Sequence, residues 1–368
     1  MKMTAQKTAM ALATGMLLAT SAFAQTAPAV TLYGRVDIGI ESANDGGLTR
    51  TMVQNFASRL GFKGERGFST DLSGVFQVET GVAPDDTAQS KTFANRNSFV
   101  GLKSNSLGTF LVGTYDTPLK SLDAGGFAGT LYGEGEAMEV IIHGKGTEAG
   151  SKTFFGNVHT RAKNNLVYLS PKFSDFVVKG SYSLADEAQN ATTNQPLYAA
   201  SLEWNNGMFN AGIATQSQDA SDKAFGMSAT KFTLGAKMDS LSGAIVFSQL
   251  DNQAKAVGAV AADPRKTTNT LFVVNYLAGA MTYKFNYGMS GESKSNAQDD
   301  LTMMALEAAY ALDKQTTIYG SYAQITNNSN GLGELVGSDS KVQPLNDKRA
   351  AAKGNDPTAI TIGIRYNF

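Results

Sequence analysis

The last ten residues of the chain, 359–368, alternate almost without error between apolar and polar side chains. Because a β-strand points successive side chains to opposite faces, this segment presents one apolar and one polar face. The apolar face carries Ile360, Ile362, Ile364, Tyr366 and Phe368. The polar face carries Thr361, Gly363, Arg365 and Asn367. A two-faced strand that ends in an aromatic residue is typical of a bacterial outer-membrane β-barrel, provided that the chain is exported.

The amino terminus has the three parts of an export signal. Lys2 and Lys7 make the start positive, and residues 10–20 form an apolar run. Ala22 and Ala24 then place small side chains at the expected offsets from a cleavage point before Gln25. A membrane-anchoring helix is the alternative, but the apolar run is shorter than the ~20 residues that span a bilayer. We therefore expect a signal peptide over residues 1–24 and a single mature domain over residues 25–368.

Composition excludes several classes of partner. Without Lys2 and Lys7 the chain keeps 29 basic and 32 acidic residues, so the formal charge is −3 and no basic tail suggests nucleic acid. Cysteine is absent, which fits export through an oxidising compartment without disulfides. The 38 glycines and 8 prolines favour many strands joined by turns over a helical fold.

Alternation of period two recurs along the mature chain. In residues 31–41, Leu32, Val36 and Ile38 fall on one face, while Arg35 and Asp37 fall on the other. The same pattern follows at 58–65, 72–82, 97–103, 109–116, 165–170, 176–185, 196–204, 208–216, 231–238, 242–250, 269–277, 281–288, 302–312, 316–326 and 359–368. The sequence therefore predicts an all-β fold, a transmembrane antiparallel β-barrel of about 16 strands with lipid outside and water inside.

The connections between these segments alternate in length. Short ones, read as periplasmic turns, lie at 64–67, 104–108, 205–207 and 313–315. Long polar ones, read as outer loops, lie at 42–54, 83–92, 186–195, 251–268, 292–300 and 327–356. The longest insertion, 117–160, carries too many apolar residues for a solvated loop. We expect it to fold into the lumen as a constriction loop; packing on other loops or on a neighbouring subunit is the alternative.

Charged residues fall on the polar register of the predicted strands. A lysine on the lipid face near the membrane centre costs about 2–4 kcal/mol, so this regular placement indicates a wet interior. The charged residues expected to face the lumen are Arg35, Asp37, Lys63, Glu79, Lys179, Lys231, Lys237, Lys284 and Arg365, with Glu203 and Glu307 as further carboxylates.

Residues for catalysis or metal binding are sparse. The two histidines, His143 and His159, both lie in the insertion and lack the partners of a catalytic site. Glu134, Glu136 and Glu139 lack the regular spacing of Asp, Asn and Gly residues that a calcium-binding loop has. We therefore expect no enzyme, no cofactor and no metal, and we interpret the three glutamates as charges that shape the field in the pore.

Several segments resemble the general porins of Gram-negative betaproteobacteria. They include Val30-Thr31-Leu32-Tyr33-Gly34-Arg35-Val36-Asp37, Ser58-Arg59-Leu60-Gly61-Phe62-Lys63-Gly64, Phe76-Gln77-Val78-Glu79, Phe99-Val100-Gly101-Leu102, Tyr115-x-Thr117-Pro118 and Ile364-Arg365-Tyr366-Asn367-Phe368. The resemblance implies a homotrimer of barrels in which the third outer loop forms the constriction. It also implies a row of basic residues facing that loop, at positions equivalent to Arg59, Arg96 and Arg161. Arg96 shares strand parity with Val100, so it reaches the lumen only at a bulge or a strand end.

The function expected from these features is passive diffusion of ions and small hydrophilic solutes, with some anion preference from the field between the arginines and the acidic insertion. Outer-membrane lipid is the expected surrounding, and the terminal strand ending in Phe368 is expected to engage the barrel-assembly machinery. A substrate-specific channel is an alternative, because the insertion carries Leu131, Tyr132, Phe154 and Phe155. An outer-membrane hydrolase and a closed structural barrel are further alternatives.

Overall fold

A computed structural model describes most of the chain beyond residue 28. The described residues are 29–85, 92–122, 131, 158, 160–184, 196–218, 226–253, 265–293, 298–331, 333, 335 and 353–368. The predicted signal peptide and the acidic residues Glu134, Glu136 and Glu139 lie outside this set. No helix in the described part is long and apolar enough to cross a membrane.

The described residues form one closed antiparallel sheet. Its strands are β1 (Ala29–Asn44), β2 (Thr49–Asn55), β3 (Arg59–Gly67), β4 (Leu72–Gly81), β5 (Ser98–Ser104), β6 (Gly108–Asp116), β7 (Arg161–Leu169), β8 (Phe176–Ser183), β9 (Leu197–Asn205), β10 (Phe209–Gln218), β11 (Gly226–Met238), β12 (Leu241–Gln253), β13 (Arg265–Ala278), β14 (Met281–Ser290), β15 (Leu301–Ala311), β16 (Thr316–Asn327) and β17 (Thr358–Asn367). Each strand pairs with its neighbours, and β17 pairs with β1 to close the barrel. One short helix, α1 (Pro118–Ser121), follows β6.

Seventeen segments make sixteen barrel strands, because β2 and β3 are two parts of one strand. Both pair with β1: Asn55 is opposite Ile38, and Arg59 is opposite Arg35. Three residues, 56–58, therefore face two on β1, which is a β-bulge. Ala57 within it has a positive φ of 60°. The predicted strand number and the predicted fold class are confirmed.

Two predicted connections are wrong. The outer loop expected at 42–54 is instead the end of β1, a four-residue turn and β2. The Asp45 carboxylate closes that turn by accepting from the backbone N–H groups of Gly47 and Leu48, so the Gly-rich composition marked a tight turn and not a long loop. The turn expected at 64–67 is still part of β3; the chain turns at 68–71, where the Ser69 hydroxyl accepts from the N–H of Leu72.

The two faces of the barrel differ as the alternation predicts. On β17 the outward Ile362 is 71% exposed, whereas the inward Thr361 is 1% exposed. One part of the inner wall departs from this pattern, because inward residues of β12, β13, β15 and β16 are apolar. They join Leu131 and Leu335 in one buried cluster, and they include Val246, Leu271, Val273, Met303, Ala305, Ala323 and Ile325. The inner wall is thus polar on some strands and apolar on others.

Candidate functional site

Four arginines gather on the inner wall near the closure of the barrel. Arg35 on β1 stands directly opposite Arg59 on β3. Arg35 interacts electrostatically with Arg59, Arg96 and Arg365. We call these four residues the arginine cluster. Neighbouring guanidinium groups repel one another, so nearby carboxylates are needed to stabilise the arginine cluster.

The first of these carboxylates belongs to Asp37, whose side chain is fully buried. The Arg365 Nε donates to Asp37 Oδ2 at 2.6 Å, and the Tyr319 hydroxyl donates to Asp37 Oδ1 at 2.8 Å. Tyr319 stands opposite Gly363 in the sheet, and its ring occupies the space that a side chain at 363 would need. The missing side chain of Gly363 therefore lets Tyr319 lie flat and reach Asp37.

The second carboxylate belongs to Glu79 on β4. The Arg96 Nε donates to Glu79 Oε1 at 2.5 Å, and the Tyr33 hydroxyl donates to Glu79 Oε2 at 2.9 Å. Tyr33 lies over Gly61 in the same way as Tyr319 lies over Gly363. Strand β5 begins at Ser98, so Arg96 lies before the strand. The alternation that would direct its side chain toward lipid therefore does not apply to Arg96.

The arginine cluster keeps an excess of positive charge. Asp37 and Glu79 pair with two of the four guanidinium groups, and the other two form no ion pair with a described residue, which leaves a formal charge of +2. Within the described residues Arg59 forms no hydrogen bond or ion pair, and the Arg35 Nε donates only to the Ala57 carbonyl, at 3.0 Å. Lys63, four residues after Arg59 on β3, adds a further positive charge on the periplasmic side of the cluster. Its ammonium lies 5.0 Å from the centre of the Tyr33 ring.

Arg161 extends this wall but is neutralised. Its Nε lies 3.1 Å from the Asp116 carboxylate and donates to Asn97 Oδ1 at 2.9 Å. Asn97 is the residue after Arg96, so Arg161 follows Arg96 along the wall. The Lys120 ammonium lies 4.0 Å from the same Asp116 carboxylate. The Asp116 carboxylate therefore lies close to two cationic side chains where the insertion begins and ends.

Lysines on the rest of the barrel are mostly matched by acids. Lys179 pairs with Glu203 at 2.8 Å, and Lys284 pairs with Glu307 at 2.8 Å, each across two adjacent strands. Lys231 is buried at 1% exposure on β11, and Lys237 lies exposed near the end of the same strand. On the strand pairs β8–β9 and β14–β15, the positive charge of each of these lysines is therefore offset by a neighbouring carboxylate.

The described ends of the long insertion contact the inner wall. Thr117 caps α1 and donates its hydroxyl to Gln216 Oε1 on β10 at 2.8 Å. The apolar residues of this contact form one buried cluster made of Leu119, Leu122, Val158, Ala214, Met227, Ala229 and Leu250. The insertion therefore begins and ends against β10, β11 and β12.

Sequence reasoning did not single out Tyr33 and Tyr319. Both stand on the polar register of their strands, which is the one signal that could have found them. Their partners Gly61 and Gly363 are separated from them by 28 and 44 residues, so only strand register reveals the contacts.

Comparison with known proteins gives the family. A model described as Gram-negative porin matches residues 8–330. The major outer membrane protein P.IB of Neisseria lactamica is 25% identical over 362 residues, which cover 92% of this chain and 94% of that protein. The fold is similar to that of an anion-selective porin from Comamonas acidovorans, with a TM-score of 0.74, 19% identity, and coverage of 93% of this chain and 100% of that chain. OmpT of Vibrio cholerae in its trimer form gives 0.67 and 17% identity, with coverage of 93% and 100%.

The family match spans most of the chain, and the barrel has the sixteen strands and the charged inner wall of a water-filled pore. Its apolar outer face fits the hydrocarbon of a membrane. The chain belongs to the Gram-negative porin family: it is an outer-membrane channel for passive diffusion of ions and small hydrophilic solutes, and not an enzyme.

Proposed function

We propose that this porin passes anions in preference to cations, and that the arginine cluster is the cause. The observation that carries the proposal is the imbalance of charge: Asp37 pairs with Arg365 and Glu79 pairs with Arg96, while Arg35 and Arg59 form no ion pair within the described residues. A pore wall with fixed charge of one sign concentrates ions of the opposite sign beside it.

The position of the excess charge favours a local effect. Fixed charges act over about 8–10 Å at physiological salt, which is comparable with the width of a narrowed pore. Lysines elsewhere, such as Lys179 and Lys284, lie within 2.8 Å of a carboxylate and contribute little net field. The arginine cluster would therefore form the basic side of the passage, and Arg161, which is paired with Asp116, would lie at its margin.

The acidic side would come from the insertion, residues 117–160. Leu131 supports an inward course for this insertion, because it is buried with inner-wall residues such as Ala305 and Ala323. Leu119 and Leu122 at the start of the insertion and Val158 near its end support it too, because they are buried with residues of β10, β11 and β12. Such a course of the insertion would narrow the pore. It would also bring Glu134, Glu136 and Glu139 into the lumen, where their charge would create a transverse field that orients polar solutes.

Four further assignments belong to this proposal. The trimer form of the similar Vibrio cholerae protein supports a homotrimer. The exposed apolar residues on β17 support contact with outer-membrane lipid, and the terminal Phe368 supports recognition by the barrel-assembly machinery. The charged and apolar parts of residues 1–24 support a signal peptide, which sequencing of the mature amino terminus would test.

Reversal potentials in planar bilayers test the anion preference. Under a KCl gradient we expect the wild-type channel to give a potential of the sign set by chloride. Arg59→Gln removes one unpaired charge and should move the potential toward zero. Lys237→Gln removes one charge from a different wall and should change it less. A cation-selective wild-type channel, or equal effects of the two substitutions, would contradict the proposal.

A further inference from the structure

A recess of about 500 Å³ opens in the inner wall of β3 to β6, on the periplasmic side of the arginine cluster. Its lining includes Lys63, Val75, Gln77, Phe99, Leu111 and Tyr115. Recesses of this size are large enough to hold a small organic molecule. We call it the Lys63 recess.

Strand register explains how the recess is assembled. Lys63 stands opposite Gln77, and Gln77 stands opposite Phe99, so the three side chains lie side by side on the inner face. One step toward the periplasm, Val75 and Leu111 flank Gly101. Gly101 has no side chain, and Leu111 leans over it. The floor of the recess is therefore apolar, while Lys63, Gln77 and the ion pair between Lys103 and Glu65 form its polar rim.

An aromatic pair forms one wall. The rings of Phe99 and Tyr115 meet edge to face, with centroids 5.3 Å apart and planes at 74°. Both side chains are half-buried, so part of each ring remains open to the lumen. Ring edges and faces in this arrangement offer an aromatic ligand the offset or edge contacts that it prefers.

The rim carries one positive charge that no carboxylate among the described residues offsets. Lys63 is exposed, and within the described residues its ammonium contacts only the face of the Tyr33 ring. Lys103 also borders the recess, but it lies 3.1 Å from the Glu65 carboxylate and is neutralised. One positive charge is therefore available, and it is held in place by an uncharged partner.

We propose that the Lys63 recess is a binding subsite for small aromatic carboxylates that travel through the pore. The carboxylate would pair with Lys63, and the ring would lie on Val75 and Leu111 against the edge of Phe99. Arg59 lies four residues before Lys63 on β3, roughly 13 Å at about 3.3 Å per residue. The inference rests on the proposed anion preference, because an anion drawn to the arginine cluster would meet the recess next.

Current fluctuations of single channels at low salt test this proposal, with benzoate, cyclohexanecarboxylate and acetate as probes. Benzoate should block the wild-type channel for longer than the other two probes. Lys63→Gln should weaken benzoate binding about tenfold, because a charge-assisted contact is lost. Phe99→Leu should weaken it about threefold and abolish the preference over cyclohexanecarboxylate. Lys237→Gln is the matched control and should leave the benzoate block unchanged.

The recess and the anion preference can fail separately. Equal block by benzoate and acetate in a chloride-selective channel would overturn the recess alone. The recess would also be overturned if Lys237→Gln weakened benzoate binding as much as Lys63→Gln does. Selective benzoate block in a channel that prefers potassium would uphold the recess and overturn the proposed anion preference.

Discussion

The ring of Tyr319 lies over Gly363, its direct partner on the neighbouring strand, and occupies the place of the missing side chain. This contact aims the Tyr319 hydroxyl at Asp37, which in turn holds Arg365. A glycine without any charge therefore helps to position the arginine cluster. Glycines in strands otherwise weaken a sheet, and an aromatic partner across the strand compensates for that loss.

Gly363→Ala should displace Tyr319 and destabilise the barrel by about 1–3 kcal/mol, as overpacking does. Unfolding in detergent by urea, followed by tryptophan or tyrosine fluorescence, measures the change. Gly320→Ala is the control, since a side chain there would meet only the Thr361 carbonyl at 3.9 Å. Equal stability of the two variants would show that the Tyr319 contact contributes nothing.

Glu79→Gln should increase the anion preference, because it removes one of the two carboxylates that offset the arginine cluster. We expect the chloride-to-potassium permeability ratio to rise roughly twofold. Glu65→Gln should have a smaller effect, since the Glu65 side chain is 50% exposed and screened by water. Reversal potentials under a KCl gradient give both ratios. A lower ratio for Glu79→Gln would mean that the cluster loses its shape when Arg96 loses its partner.

Leu131→Ala should loosen the hold of the insertion on the inner wall. Leu131 is 4% exposed within an apolar cluster, and truncating a buried leucine costs about 2–5 kcal/mol. Single-channel recordings should show more frequent flicker and a broader spread of conductance. Leu107→Ala is the control, because Leu107 is 74% exposed in a turn. If the Leu131→Ala channel showed the same flicker and spread of conductance as the wild type, Leu131 would have no role in holding the insertion in the pore.

Asp71 should make the stability of the barrel depend on acid pH. Asp71 lies in the turn between β3 and β4, and its carboxylate accepts hydrogen bonds from the hydroxyls of Ser104 and Ser106. These hydrogen bonds lower the pKa of Asp71. A lowered pKa stabilises the fold above the usual carboxyl pKa of about 3.9, and this stabilisation is lost as pH falls through the lowered value.

Asp71→Asn should therefore be less stable than the wild type at neutral pH, with the difference shrinking below about pH 4. Urea unfolding at a series of pH values measures it. Asp239→Asn, in the turn between β11 and β12, serves as the control, because no side-chain donor to Asp239 is found among the described residues. A constant difference for Asp71→Asn across the series would contradict the assigned hydrogen bonds.

The sequence by itself determined the two faces of the strands and their number. Period-two alternation is a local property, and lipid penalises any charged side chain that falls on the wrong face, so residues such as Lys179 and Lys284 could be assigned without knowing their neighbours. The same local signals misread residues 42–54, where glycines in a tight turn resemble a loop. They also could not find the bulge at 56–58, because a bulge is defined by the opposite strand.

Only the tertiary structure decided which charges meet. Arg365 joins Asp37 across 328 positions because β17 closes on β1, and Arg96 reaches Glu79 because β5 begins two residues later. Local pattern gives each side chain a face, but ring closure and strand register give it a partner. The excess positive charge of the arginine cluster is a property of that pairing, since the chain as a whole carries slightly more acid than base.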